Sequence, residues 1–190
     1  WWELGDRLRE GGIPILNPQA WGAGNYFAEG QWGLLNPVTW IIALGARATE
    51  QPMMFAAVVK IVFLMIMAVG VYLLARNFGA NAPWAAAAGV LVPMSGFTVY
   101  MDAASWTTGL QNAALFPWVW WGLRRLVETN RSPLWYLLSS YVLITFGYVF
   151  GVLVLIVVLV ESLIRAGVTK NWPAFWRTFA ASGWGGLLTI

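Results

Sequence analysis

Charged residues are scarce in this chain, with Lys+Arg 11 and Asp+Glu 8 in 190 residues, so each one outside the basic clusters is a candidate for chemistry. Glu29 is the only acid in a glycine-rich, aromatic stretch from Gly22 to Trp32, with Asn25 and Gln31 beside it. A carboxylate there can deprotonate an acceptor hydroxyl, while amides and the Trp32 ring hold a sugar. The alternative is an ordinary loop charge. Asp6 can act as a second base, or hold a divalent cation beside a phosphate. It can equally be a solvated helix charge paired with Arg9. Lys60 lies about 12 Å into an apolar run, counted at 1.5 Å per residue from Pro52, and intramembrane ionisable groups default to function. Lys is a point-charge phosphate binder, or its stem lets the ammonium reach the outer interface. Asp102 precedes Ser105-Trp106-Thr107-Thr108, with Gln111 and Asn112 one turn into the next helix. That cluster reads either as a cavity lining or as a capped helix start. Asn17, with Asn25, Gln31, Trp32, Lys60 and Asp102, completes the candidate substrate-binding set around Glu29 and Asp6.

Other chemistries are excluded. With no His and no Cys, the chain has no His/Cys metal site, no His or Cys catalyst and no disulfide scaffold. A net charge of +3 spread over a sparse set does not make a nucleic-acid surface. The chain is 59% hydrophobic and 10% charged, against about 45–50% and about 25% in soluble domains. A polytopic membrane protein is what remains. The chain opens on Trp1 and ends in an apolar run, which reads as a piece of something longer.

The elements that must position these groups follow from the uncharged windows. Helices are expected over about 52–75, 82–101, 107–123, 133–146, 148–165 and from 176 to 190, since a bilayer core needs about 20 apolar residues. The uncharged run from Ser132 to Val160 is assigned two short helices bent near Gly147 and Gly151, because one span would leave basic clusters on opposite sides. Such breaks persist where protein or a water-filled cavity satisfies the backbone. Arg76, then Arg124, Arg125 and Arg131, then Arg165, Lys170 and Arg177 mark the cytoplasmic side. Residues 1–51 and Asp102 then lie outside, with Arg7, Arg9 and Arg47 offset by Glu3, Asp6, Glu10, Glu29 and Glu50.

In residues 1–10, Trp1, Leu4 and Leu8 recur at helical spacing, predicting a short helix in the interface plane. A near-repeat follows: Asn17-Pro18-Gln19-Ala20-Trp21 and Asn36-Pro37-Val38-Thr39-Trp40. Asn before Pro suits an N-cap with Pro at the first helical position, so each copy is expected to start a short helix with its Trp toward the membrane. The Trp residues at 84, 106, 118, 120, 121 and 135 fall near span ends, as an aromatic belt does.

The run Gly12-Ile13-Pro14-Ile15-Leu16-Asn17-Pro18, then Gly22 to Gly24, then Leu35-Asn36-Pro37, resembles the YfhO-like bacterial membrane proteins. Met94-Ser95-Gly96-Phe97 and Leu115-Phe116-Pro117 extend the likeness over about residues 4–165. Leu16 stands where that pattern has Trp, and Gly147-Tyr148-Val149-Phe150-Gly151 where a Gly-His-Pro type turn is usual. These proteins are similar to GT-C glycosyltransferases. The resemblance implies an all-α, polytopic transmembrane bundle with interfacial helices in an extracytoplasmic loop. It implies a sugar moved from a polyprenyl-phosphate donor to a cell-envelope glycan or lipid at the bacterial plasma membrane. It also places the superfamily's usual acid near the end of a preceding span, upstream of Trp1. The competing expectations are a transporter or flippase for a lipid-linked substrate, and a non-catalytic membrane scaffold.

Overall fold

The computed structural model describes residues 1–12, 33–96, 98–99, 107–129, 132–146 and 148–187. Among these residues the chain is all helical, without a strand. The helices are α1 (Trp2–Arg9), α2 (Pro37–Ala48), α3 (Pro52–Asn77), α4 (Ala82–Leu91), α5 (Thr107–Thr129), α6 (Leu134–Phe146), α7 (Tyr148–Val168) and α8 (Trp172–Leu187).

Three of the starts use the same local chemistry. Asn36 Oδ1 accepts from Val38 N ahead of α2, and Asn81 Oδ1 from Trp84 N ahead of α4. Asn171 Oδ1 accepts from Ala174 N ahead of α8. In each case a Pro occupies the first or second helical position (Pro37, Pro83, Pro173), where its missing N–H costs no helical hydrogen bond. The Asn171 contact starts α8 at Trp172, ahead of the expected 176.

Two helices are long and apolar enough to cross a membrane, Pro52–Asn77 and Val149–Val168. Only 22% and 28% of their most apolar stretches are buried within the chain. The uncharged run from Ala82 does not form one continuous α-helix. α4 stops at Leu91, and Val92–Met94 form a turn at Pro93, whose ring clashes with the carbonyl four residues earlier in a helix. The α-helices α4 and α6 have 10 and 13 residues, about 15 and 20 Å at 1.5 Å per residue, both short of a bilayer core.

Side-chain contacts define two ends of the bundle. Arg124 Nε donates to Asn77 Oδ1, Arg165 pairs with Glu128, and Arg177 Nη1 donates to Val127 O, so α3, α5 and α7 finish, and α8 begins, at one end. This is the basic end. At the other, Asn36 Nδ2 donates to Val142 O and Tyr141 Oη donates to Leu35 O, so the last turns of α6 meet the start of α2. There α1 packs across α2, and α2 leads into α3, forming a platform. α5 is the central helix, packed on α3, α6, α7 and α8. Its platform-side half shares a core with α2, α3 and the end of α6, through Ile42, Phe63, Leu110 and Phe146. Its half toward the basic end shares one with α6, α7 and α8, through Leu123, Tyr136, Val158 and Ala181.

Gly122 lets α5 and α6 approach. A Cβ there would lie 2.9 Å from Tyr136 N and 3.0 Å from Tyr136 Cα, both backbone atoms. Gly122→Val must therefore push two helices apart. It is expected to lower stability by about 1–3 kcal/mol, the usual cost of overpacking, in equilibrium unfolding in detergent micelles. An unchanged midpoint would refute the close approach.

Candidate functional site

Of the residues the sequence singles out, Asn17, Asn25, Glu29, Gln31, Trp32 and Asp102 lie outside the described residues. Asp6 and Lys60 lie within them, both on the platform side. Asp6 sits on α1, whose Leu4 is buried against Leu34 and Ala43, with Trp1, Leu8 and Trp40 packed around them. α1 closes on α2 at Gly5, where a Cβ would lie 2.5 Å from Ala43 O and 3.0 Å from Arg47 Cβ, and this brings Arg47 beside Asp6, whose Oδ1 accepts from Arg47 Nε. The Arg47 guanidinium also lies 4.7 Å from the Trp2 ring centroid. The partner of Asp6 is thus Arg47 and not Arg9. One cation holds one carboxylate oxygen, and a carboxylate has about four lone-pair sites. Half-exposed, Asp6 keeps an oxygen with which to accept from a hydroxyl. Lys60 is half-buried on α3, beside buried Val59 in the platform-side half of the helix.

The platform is fixed to the bundle by Asn36, which is fully buried. Its Oδ1 accepts from Val38 N at 2.9 Å, and its Nδ2 donates to Val142 O at 3.0 Å and Thr145 Oγ1 at 2.9 Å. Thr145 Oγ1 in turn donates to Tyr141 O. Gly33, at φ 62, brings the chain into this junction; a Cβ there would lie 2.7 Å from Thr39 Oγ1 and 3.2 Å from Thr145 O. Trp40 faces inward, against the expectation of a membrane-facing ring. Its Nε1 donates to Leu34 O at 2.6 Å, and the ring packs on the Leu4–Leu34–Ala43 cluster. A short helix covered by α1 has its indole donor satisfied inside.

The basic end holds a second constellation. Arg124 is buried, 7% exposed, although it was expected simply to mark the cytoplasmic side. Its Nη2 lies 3.0 Å from Glu128 Oε1, and its guanidinium 3.8 Å from the Phe78 ring centroid. Arg165 pairs with Glu128 and, at 3.0 Å, with Glu161, which also accepts from Trp120 Nε1 at 3.1 Å. Two cations and two carboxylates from α5 and α7 thus neutralise one another. Sequence reading missed Glu128 and Glu161; the signal was their opposite-charge spacing of four residues from Arg124 and Arg165. The cluster ties α3, α5 and α7 together.

Among the described residues no three His, Cys, Asp or Glu side chains come together to hold a metal ion. Asp6 alone would supply one ligand. What fold and site define together is an all-helical protein with two helices able to cross a membrane and a carboxylate-bearing platform at one end. No protein-family model, curated protein or solved structure matches the chain.

Proposed function

We propose that the protein is a multi-pass glycosyltransferase of GT-C type in a bacterial plasma membrane, with residues 1–51 extracytoplasmic. The platform presents Asp6 to an acceptor hydroxyl, and Glu29 is the second base. Lys60 neutralises the phosphate of a polyprenyl-linked sugar donor. Asn17, Asn25, Gln31, Trp32 and Asp102 bind sugar.

The observation that carries this reading is how the charges sort along the bundle. Among the described residues, Lys60 is the one charged side chain between a platform carrying Glu3, Asp6, Arg7, Arg9, Glu10, Arg47 and Glu50 and the basic end. The helices between are largely exposed and apolar, with Met53, Ile61, Met65, Leu153, Ile156 and Ile164 all open. In water that surface would be an aggregation liability; in lipid it is solvated. The excess of Lys and Arg at one end supports placing that end in the cytoplasm. The resemblance to YfhO-like proteins supplies the reaction class.

The test is release of polyprenyl phosphate from a labelled lipid-linked sugar by the purified protein. Asp6→Asn and Glu29→Gln are each expected to lower turnover by about 100-fold, the lower range of general base catalysis. Asp6→Asn removes a half-exposed ion pair worth about 0–1 kcal/mol, so its loss of turnover is separable from unfolding. Unchanged turnover in both variants would remove these residues from the mechanism. The interruption of α4 at Leu91 favours a second reading, a flippase for a lipid-linked substrate, since transporters use discontinuous helices at their sites. Translocation of the labelled lipid across vesicles without release of phosphate would select it.

A further inference from the structure

We propose that the basic end of the bundle is a docking surface for the headgroups of anionic phospholipids. This inference rests on the membrane reading above but not on glycosyl transfer.

Among the described residues this end carries six cations, Arg76, Arg124, Arg125, Arg165, Lys170 and Arg177, against the carboxylates Glu128 and Glu161. The neutral cluster consumes Arg124 and Arg165 with both carboxylates. The remaining four, Arg76, Arg125, Lys170 and Arg177, have no carboxylate partner among the described residues. Their charge is more than the fold itself needs. At this end the C-termini of α3, α5 and α7 meet the N-termini of α4, α6 and α8, whose opposite partial charges of roughly 0.5 offset one another, so helix dipoles do not balance the four cations.

The side chains are also held where headgroups lie. Arg125 sits 4.6 Å from the Trp121 ring centroid, and Trp121 packs 5.9 Å from Trp135. Arg177 Nη1 donates to Val127 O at 2.9 Å, leaving its other donors free of that bond. Lys170 is set in the exposed turn between α7 and α8 by a left-handed backbone, φ 52. Trp172 and Trp176, 61% and 62% exposed, accompany these cations on α8. Exposed indoles beside cations match the level where hydrocarbon gives way to headgroups. The cations stand on the termini of different helices and do not converge on one pocket. That arrangement fits a layer of anionic headgroups better than a single soluble phosphate. Basic residues at such a surface attract anionic lipid within a Debye length.

The test reconstitutes the chain in phosphatidylcholine vesicles and compares tryptophan quenching by brominated phosphatidylglycerol and brominated phosphatidylcholine at equal mole fraction. Phosphatidylglycerol is expected to associate preferentially at low salt, with the preference shrinking in 0.5 M NaCl. Arg76→Gln/Lys170→Gln changes only exposed side chains and is expected to reduce the preference by about fivefold per residue removed. Arg7→Gln/Arg9→Gln, on the platform, is expected to leave it intact. Equal quenching by the two lipids overturns the proposal while leaving the membrane reading standing. So does an undiminished preference in Arg76→Gln/Lys170→Gln, or an equal loss in Arg7→Gln/Arg9→Gln. If inorganic phosphate abolishes the preference where chloride of the same ionic strength does not, the site belongs to free phosphate and the proposal fails. A chain that does not enter the vesicles overturns both readings.

Discussion

Glu128→Ala is expected to destabilise the protein by about 3–5 kcal/mol in equilibrium unfolding, the cost of stranding a buried charge. Glu128 is the carboxylate that Arg124 and Arg165 share. Without it, Arg165 keeps Glu161 as a direct partner, while Arg124 keeps Asn77 Oδ1, the face of Phe78 and only the more distant charge of Glu161. The Arg124 side chain is 8% exposed and that of Glu128 29%, so water cannot screen the loss effectively. The contrast is Arg7–Glu10, a 3.5 Å pair on the open face of α1. Arg7→Ala is expected to change stability by no more than about 0.5 kcal/mol. Removing Arg165 together with Glu128 restores charge balance between Arg124 and Glu161. The double variant should therefore be more stable than the two single losses combined, by about 0.5–3 kcal/mol. Strict additivity, or a Glu128→Ala protein as stable as its parent, would show that the cluster is not a unit.

The second large effect concerns Asn36. Asn36→Ala removes an N-cap, at about 1 kcal/mol, and two cross-helix hydrogen bonds at about 1 kcal/mol each. About 3 kcal/mol is expected. The sharper expectation is the order of two variants. Asn36→Asp keeps the cap oxygen for Val38 N but turns a second oxygen toward Val142 O and Thr145 Oγ1. As they stand both are acceptors: Val142 O is a carbonyl, and Thr145 Oγ1 could donate only by giving up its bond to Tyr141 O. A buried carboxylate facing two acceptors is worse than an empty space, so Asn36→Asp should be less stable than Asn36→Ala. Were Asn36 only a cap, the order would reverse. Thermal unfolding of both variants in the same detergent decides it.

Asn36 also marks how far the sequence could be read. Asn ahead of Pro is enough to place a helix start, because the cap bond reaches only two residues along the chain. Nothing local reveals that the same amide reaches Val142 and Thr145, over a hundred residues later. The inward turn of Trp40 was missed for the same reason, since the surface that receives it is made by Leu4 and Leu34. The uncharged run from Ala82 looked continuous by composition, yet Pro93 ends its α-helix; counting apolar residues overrode a breaker in plain view. The pairs Arg124–Glu128 and Glu161–Arg165 were legible as single helical turns, though their meeting across α5 and α7 was not. Of the candidate site, Asp6 and Lys60 lie within the described residues. Asp6 meets Arg47 on α2, where the sequence offered Arg9 on its own helix.

The helical class, the apolar stretches and the Asn-Pro start of α2 were therefore determined by the sequence alone, since each depends on groups within a few residues of one another. Which charges neutralise which was decided by tertiary structure. Asp6 meets Arg47, Arg124 meets Asn77, and Glu128 meets Arg165. Each of these pairs spans tens of residues with no periodicity joining its members. Only the packing of α1 on α2, and of α5 between α3 and α7, brings them within reach. Once desolvated there, a charge must find its opposite among whatever the neighbouring helix presents.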